Sequence, residues 1–175
     1  RFINTGVYET ERVKKTTSPS MDIQIASNFE RLLFDIMSQS NEKTASAMHL
    51  FEEKGKLTID QQDLNIISNI FASESTHQQD VNKIISNVHE IHSYLIDPHT
   101  ATGINASRKT NDNDRINFTL STAHPVKFSE TVEMAVGKNL DLLSNYNDLF
   151  SKDEKIHSIQ NNTDEVKKFI LENKN

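Results

Sequence analysis

Apolar residues recur at intervals of three and four along most of the chain, the spacing that places side chains on one face of a helix. The clearest predicted helix begins near residue 78 and carries an apolar face made of Val81, Ile84, Ile85, Val88, His92 and Leu95. Further helices are predicted at about 27–37, 42–54, 61–72, 98–108, 129–138 and from 163 onward. The pattern is therefore predominantly helical.

Short polar side chains mark where several of these helices begin. Ser27–Glu30 and Thr76–Gln79 have the spacing of capping boxes, in which two side chains satisfy free backbone N–H groups. Asp97–Pro98 predicts an N-cap followed by proline in the first turn, and Thr163 is expected to cap the last helix. Gly55 is expected to end the helix at 42–54.

Residues 115–122 form the best predicted strand, because Ile116, Phe118 and Leu120 alternate with polar residues. A short extended piece is expected at 56–59, and residues 1–26 are expected to be extended or irregular. A stable sheet usually needs three or more strands. We therefore predict an α/β chain, predominantly helical, that forms a single partial domain over residues 1–175 of something larger.

Composition excludes several kinds of site. The 175 residues include no cysteine, which removes disulfides, thiolate metal sites and a cysteine nucleophile, and fits a cytoplasmic location. The net charge is −6 with scattered Lys and Arg, which disfavours nucleic-acid binding. No run approaches the ~20 apolar residues of a membrane span. The four glycines are isolated, so no glycine-rich phosphate loop is predicted.

Two histidine-containing motifs allow both a structural and a functional interpretation. His89 and His92 lack the His-Glu-x-x-His spacing of zinc proteases, so no metal site is predicted and His92 is expected to pack in the apolar face. An N-cap explains Asp97 and Pro98 fully but does not require His99. We favour the structural interpretation there and leave the functional one open.

The segment 120–128, Leu-Ser-Thr-Ala-His-Pro-Val-Lys-Phe, is the strongest candidate site. It follows the predicted strand, and ligands of α/β proteins tend to bind outside the carboxyl ends of strands. Ser18, Thr122 and His124 could suggest nucleophilic catalysis. The chain has no Gly-x-Ser-x-Gly elbow and no acid placed by motif to orient the histidine, so a hydrolase triad is disfavoured.

Five stretches, in order along the chain, resemble motifs of the bacterial and fungal threonine synthases. They are Arg-Phe-Ile-Asn-Thr-Gly-Val-Tyr at 1–8, Thr-Ser-Pro-Ser-Met-Asp-Ile at 17–23, Ser-Asn-Phe-Glu-Arg-Leu-Leu at 27–33, Asp-Pro-His-Thr-Ala-Thr-Gly at 97–103 and Ser-Thr-Ala-His-Pro-Val-Lys-Phe at 121–128. All three prolines lie inside these stretches. One such match would be weak, whereas five in the family's order are a specific signal.

The resemblance implies the fold type II architecture of pyridoxal phosphate (PLP) enzymes, related to the tryptophan synthase β subunit. Such enzymes convert O-phosphohomoserine and water into threonine and phosphate, with PLP as electron sink. By motif, Thr122 is expected at the pyridine nitrogen of PLP, with His124 close to that pocket. The residues expected on the substrate side are Ser18, Asn28, Arg31 and Lys127. Arg31 could pair with a phosphate or form an ordinary surface ion pair.

The family's Schiff-base lysine and its glycine-rich phosphate loop come earlier in the chain than the matched motifs. The resemblance therefore implies a C-terminal portion with no catalytic residue of its own, inactive alone, whose expected partners are the missing N-terminal portion or a second copy. No covalent attachment of PLP is expected in this portion. The alternatives are a catalytically dead remnant or a non-enzymatic interaction domain from a degraded or split gene.

Overall fold

The structure, a computed structural model, describes residues 1–110 and 115–174, which form two compact units, Arg1–Leu142 and Leu143–Asn175. The helices of the first unit are α1 (Phe2–Thr5), α2 (Phe29–Ile36), α3 (Asn41–Lys54), α4 (Gln61–Ile70), α5 (Gln78–His92), α6 (Pro98–Thr110) and α7 (Ser129–Val136). Its strands are β1 (Val7–Glu9) and β2 (Lys56–Thr58), and the second unit contains α8 (Asn147–Phe150) and α9 (Thr163–Glu172). The prediction of a single partial domain stays a prediction.

The first core lies among α1, α2, α3, α4 and the two strands. Its buried members are Phe2, Leu33, Ile36, Phe51, Leu57, Ile59 and Ile67. Tyr8 completes the aromatic part of this core, with its ring stacked on Phe51 at a centroid distance of 4.7 Å. The Tyr8 hydroxyl donates to the Gln24 carbonyl at 2.7 Å, so the phenol tip is satisfied while the ring is packed.

A two-stranded antiparallel sheet pairs Tyr8 with Leu57 across β1 and β2. Gly6 and Gly55 precede the two strands with φ values of 70° and 64°, the left-handed region that glycine adopts without a Cβ penalty. The extended piece at 56–59 and the helix end at Gly55 were predicted correctly. Residues 1–26 were expected to be extended or irregular, which is wrong for the short helix α1. The strand β1 is extended, but its pairing with β2, about fifty residues away, is invisible to local patterns.

The second core joins α5, α6 and α7. Its buried members are Val81, Ile84, Ile85, Val88, Ile96, Ala101 and Val132. The predicted apolar face of α5 is thus confirmed up to Val88. His92 is exposed, contrary to the prediction that it packs in this face, because the helix ends there in the left-handed Ser93. The helices predicted at 98–108 and 129–138 are confirmed as α6 and α7.

Three predicted N-caps differ from the structure. The caps of α2, α5 and α9 are Asn28, His77 and Asn162, not Ser27, Thr76 and Thr163. Thr76 instead accepts a hydrogen bond from the Asn105 side chain at 2.9 Å, and this bond links α6 to the start of α5. Hydroxyl residues next to a helix start can serve either the helix or a neighbouring segment, and here tertiary contacts decide.

The strand predicted at 115–122 is wrong. No ladder pairing is present there in the described part of the chain, and Ile116, Phe118 and Leu120 are 85%, 87% and 79% exposed. The alternating pattern is that of a strand, but a strand needs a neighbour to pair with. The polar residues at 109–114 predict a loop from the sequence. Most of them fall outside the described residues, and α6 continues to Thr110.

The second unit has an irregular segment at 151–162 before α9. Asn162 caps α9 by accepting hydrogen bonds from the backbone N–H groups of Asp164 and Glu165. The rings of His157 and Phe169 pack at a centroid distance of 5.0 Å. Across the described residues of both units, no helix has the length and apolar character that a membrane crossing requires.

Replacing Ile85 by Ala should lower the free energy of unfolding by about 2–5 kcal/mol, because this side chain is fully buried at the centre of the second core. Urea unfolding followed by circular dichroism measures the loss. Ile91→Ala is the matched control, since Ile91 lies on the same helix and is 66% exposed. We expect a change of less than about 0.5 kcal/mol there. Equal losses in both variants would contradict the packing described for α5.

Candidate functional site

The carboxylate of Asp97 is completely buried at the start of α6 and accepts four hydrogen bonds. Oδ2 accepts from the His99 backbone N–H at 3.0 Å and lies 2.7 Å from the His99 Nδ1. Oδ1 accepts from the Thr100 backbone N–H at 3.1 Å and from the Thr100 hydroxyl. Asp97 is therefore the N-cap that the sequence predicts, and its two oxygens also hold two side chains.

The His99 ring continues the first of these contacts to another segment. Its Nε2 accepts a hydrogen bond from the Ser20 backbone N–H at 3.2 Å. A nitrogen that accepts cannot carry a proton, so the network assigns the neutral tautomer with hydrogen on Nδ1, donated to Asp97. The same ring packs against Phe128 at a centroid distance of 4.7 Å. His99 is 7% exposed, so all these contacts are shielded from water.

The Thr100 hydroxyl continues the second contact. It donates to Asp97 and accepts a hydrogen bond from the Thr122 backbone N–H at 3.2 Å. The peptide of Thr122 is thereby tied to the buried start of α6, while the Thr122 side chain is exposed. Three stretches far apart in sequence, around residues 18–20, 97–100 and 122–128, meet at one carboxylate.

Hydrogen bonding keeps Asp97 ionised. Burial by itself raises the pKa of the Asp97 carboxyl, but the hydrogen bonds from Thr100 and His99 act the other way and hold that pKa below its ordinary value of 3.8. An ionised carboxylate can only accept hydrogen bonds. The direction of every hydrogen bond in the cluster follows from this.

The segment that carries Ser18 is held on a second side by α5. The Thr17 backbone N–H donates to the Gln78 Oε1 at 3.0 Å, and the Gln78 amide N–H donates to the Thr17 hydroxyl at 2.6 Å. Ser18 is 4% exposed, and its hydroxyl oxygen has no hydrogen-bond partner among the described residues. The predicted substrate-side residue is thus buried and fixed in place.

A cavity of about 380 Å³ lies beside this segment. Its lining includes the carboxylates of Asp22 and Glu74, and neither Lys nor Arg is among the described residues that line it. Asp22 accepts from the Thr16 backbone and hydroxyl, and Glu74 pairs with Lys109 at 3.6 Å. A phosphate would meet the negative charge of these carboxylates on this part of the lining.

The other predicted site residues fall into two groups. Thr122, His124 and Lys127 follow one another before α7 and are exposed, with the His124 Nδ1 accepting from the Val126 backbone N–H at 3.2 Å. Asn28 and Arg31 are exposed at the start of α2, the helix whose opposite face packs in the first core through Leu33 and Ile36. Arg31 lines a different cavity, of about 520 Å³. In the described part of the chain its guanidinium forms no ion pair, so the surface ion-pair interpretation is not what the structure has.

Sequence reasoning left Asp97, His99 and Thr100 out of the candidate site residues. A signal was present, since the N-cap interpretation accounted for Asp97 and Pro98 but not for His99. His99 and Thr100 can each donate one hydrogen bond and accept another. Placed directly after the capping Asp97, they can relay hydrogen bonds from its carboxylate to other segments. In residues 1–110 and 115–174, no three His, Cys, Asp or Glu side chains are arranged to hold a metal ion.

Asp97→Asn should lower the free energy of unfolding at neutral pH by about 2 kcal/mol, because an amide cannot accept all four hydrogen bonds. In the folded protein the pKa of the Asp97 carboxyl lies below its ordinary value of 3.8. The ionised carboxylate therefore stabilises the protein above pH 3.8, and this contribution is lost as the pH falls through the lower pKa of the folded state. The difference between wild type and variant should therefore shrink in acid. Urea unfolding from neutral pH to about pH 3 measures it.

The control is Asp35→Asn on α2, an exposed acidic residue. It should change the free energy of unfolding by less than about 0.5 kcal/mol at any of these pH values. A deficit in Asp97→Asn that stays constant down to the most acidic sample would contradict the lowered pKa.

Comparison with known proteins places these motifs in a family. The family model "Threonine synthase, C-terminal" matches residues 100–170. The threonine synthase of Pseudomonas aeruginosa is 34% identical over 177 residues, covering 100% of this chain and 38% of that protein. The threonine synthase of Saccharomyces cerevisiae is 35% identical over 171 residues, covering 87% of this chain and 32% of that protein.

Solved structures agree with the sequence relatives. The crystal structure of a PLP-bound threonine synthase from Brucella melitensis matches with a TM-score of 0.82 at 32% identity, covering 98% of this chain and 37% of that one. This match confirms the predicted fold class, a predominantly helical part of an α/β enzyme. The chain spans 38% of the length of the Pseudomonas relative. The chain belongs to the threonine synthase family and corresponds to its C-terminal portion.

Proposed function

We propose that this chain is the C-terminal portion of an active threonine synthase, which converts O-phosphohomoserine and water into threonine and phosphate with PLP as cofactor. The observation that carries the proposal is the convergence of three family motifs on the buried Asp97 carboxylate. A degraded remnant has no reason to keep the buried side chains of Asp97, His99 and Thr100 all paired with one another, since buried polar groups that lose their partners are costly.

The residues around Thr122 fit the nitrogen end of PLP. The Thr122 side chain is exposed while its peptide is anchored to Thr100, so the hydroxyl is available and its backbone is fixed. A hydroxyl can share a hydrogen bond with a pyridine nitrogen without imposing the protonation that a carboxylate favours. PLP supplies the electron sink when it is bound, and this chain's residues supply position. His124, two residues on, borders the same pocket.

The substrate-side residues have separate tasks in this proposal. The exposed guanidinium of Arg31, beside the Asn28 side chain at the start of α2, provides the bidentate donor that a phosphate ester needs. Lys127 contributes positive charge near Thr122. Ser18 shapes the pocket wall from its buried position and does not contact phosphate, because the adjoining cavity is lined by carboxylates.

The partner of the chain in this proposal is the N-terminal portion that the relatives carry. The segment before Thr122 has an exposed, alternating apolar edge, of the kind that folded proteins normally cover, made of Ile116, Phe118 and Leu120. This edge leads directly into Thr122. Pairing with a strand of the N-terminal portion would bury it and place Thr122 next to residues from the other portion. Self-association through the same edge is the competing outcome.

Joining this chain to the N-terminal portion of a threonine synthase, by co-expression, should give threonine and phosphate in equal amounts from O-phosphohomoserine. The reason is that the Schiff-base lysine and the phosphate loop then meet the Thr122 pocket. Phosphate release and threonine by chromatography are the measurements. A complex that forms but releases no phosphate would favour the remnant.

Phe118→Asp tests the docking edge within the same co-expression. A charge in the buried pairing should abolish complex formation, seen as loss of co-purification and of activity. Ile91→Asp is the control, since Ile91 is also exposed at 66% but lies on α5. Co-purification that survives Phe118→Asp would show that the portions meet elsewhere, and a dimer of this chain alone would favour self-association.

Thr122→Val should weaken PLP retention in the complete enzyme about tenfold, because a methyl group replaces the one hydroxyl at the pyridine nitrogen while the volume is kept. Equilibrium dialysis against PLP measures the dissociation constant. Thr119→Val makes the same chemical change three residues away on an exposed side chain and should leave retention unchanged. Identical PLP affinity in both variants would remove Thr122 from the pocket.

A further inference from the structure

The two oxygens of Asp97 serve two different segments. Oδ1 takes both of its hydrogen bonds from Thr100, and Thr100 in turn accepts from the Thr122 backbone N–H. Oδ2 takes both of its contacts from His99, and His99 in turn accepts from the Ser20 backbone N–H. We call these the Thr122 arm and the Ser20 arm.

The ionised carboxylate sets the direction of both arms. Because it can only accept, the Thr100 hydroxyl must donate to it, which leaves a lone pair on that oxygen for the Thr122 N–H. For the same reason His99 must donate its Nδ1–H, which leaves the Nε2 lone pair for the Ser20 N–H. The Thr122 and Ser20 N–H groups each find an acceptor because the Asp97 carboxylate takes the proton-donating side of both Thr100 and His99.

We propose that Asp97 is a positioning residue that sets the cofactor-side segment at Thr122 and the substrate-side segment at Ser18–Ser20 together. The proposal rests on the proposed function for the identity of the two ligands. PLP retention then depends on the Thr122 arm, substrate affinity depends on the Ser20 arm, and both depend on the Asp97 carboxylate. Small displacements matter here, because a shift of ~1 Å at a reacting centre can cost ~10²-fold in rate.

A pair of variants at Thr100 separates a hydrogen-bond relay from simple packing. Thr100→Val keeps the volume but removes the hydroxyl, and it should raise the PLP dissociation constant of the complete enzyme about tenfold. Thr100→Ser keeps the hydroxyl but removes a methyl group, and it should retain near wild-type affinity. A packing role predicts the reverse order, and that order would overturn the proposal for this arm.

A pair at His99 tests the second arm in the same way. His99→Phe keeps a ring against Phe128 but offers no acceptor to the Ser20 N–H, and it should raise the KM for O-phosphohomoserine about tenfold with the PLP dissociation constant unchanged. His99→Gln, whose amide oxygen can accept from Ser20, should recover part of the KM. Equal effects of His99→Phe on PLP and on substrate would contradict two separate arms.

Asp97→Asn should affect both quantities, because its NH₂ group replaces the accepting oxygen of one arm and the loss of the negative charge weakens the hydrogen bonds of the other. In the double variant Asp97→Asn with Thr100→Val, the loss of PLP affinity should be smaller than the product of the two single losses, since both act through one relay. Losses that multiply fully would show that Thr100 and Asp97 act independently, and would overturn the coupling.

Amide hydrogen exchange provides a readout that needs neither PLP nor substrate. Measured on the chain itself, Thr100→Val should speed exchange at the Thr122 amide about tenfold and leave the Ser20 amide unchanged, while His99→Phe should do the opposite. If the complete enzyme makes no threonine but these exchange patterns hold, the proposed function fails and the two arms stand. If exchange at both amides is unchanged in every variant, the proposal of two arms is wrong, whether or not the complete enzyme makes threonine.

Discussion

One buried carboxylate that can only accept hydrogen bonds governs the polar part of this molecule. Asp97 receives four hydrogen bonds from the two residues that follow Pro98, and this satisfies the start of α6. Hydrogen bonding outweighs burial, so its pKa is lowered and the group stays charged. A neutral amide of the same shape has only one accepting oxygen, so it could free the Thr100 oxygen or the His99 Nε2 as an acceptor but not both.

The apolar part of the molecule holds that carboxylate where it can act. Ala101 and Val132 are fully buried in the second core, which fixes α6 against the neighbouring helices. The first core, around Phe51 and Leu33, is built from residues before position 70 and includes α2 with Arg31. The proposed phosphate-binding residue and the proposed PLP-binding residue thus belong to separate packed regions of the chain.

The segment before Thr122 has the pattern of a strand but no strand beside it among the described residues. Its apolar side chains alternate as in a strand, yet they lie exposed, and its far end is tied down by the hydrogen bond from Thr122 to Thr100. A strand pairs with other segments, so an alternating pattern shows that a segment can pair but not that it does. In the proposed complete enzyme, the N-terminal portion supplies that neighbour.

Local sequence patterns were enough to predict the longer helices, since an apolar face such as that of α5 and a stop such as Gly55 depend on neighbours a few residues away. The sequence also determined the family, through five ordered motifs. Tertiary contacts set which residue caps α5, that β1 pairs with β2, that His92 is exposed, and that Ser20, Asp97 and Thr122 share one cluster. Those outcomes depend on contacts between residues far apart in the chain, which no local period encodes.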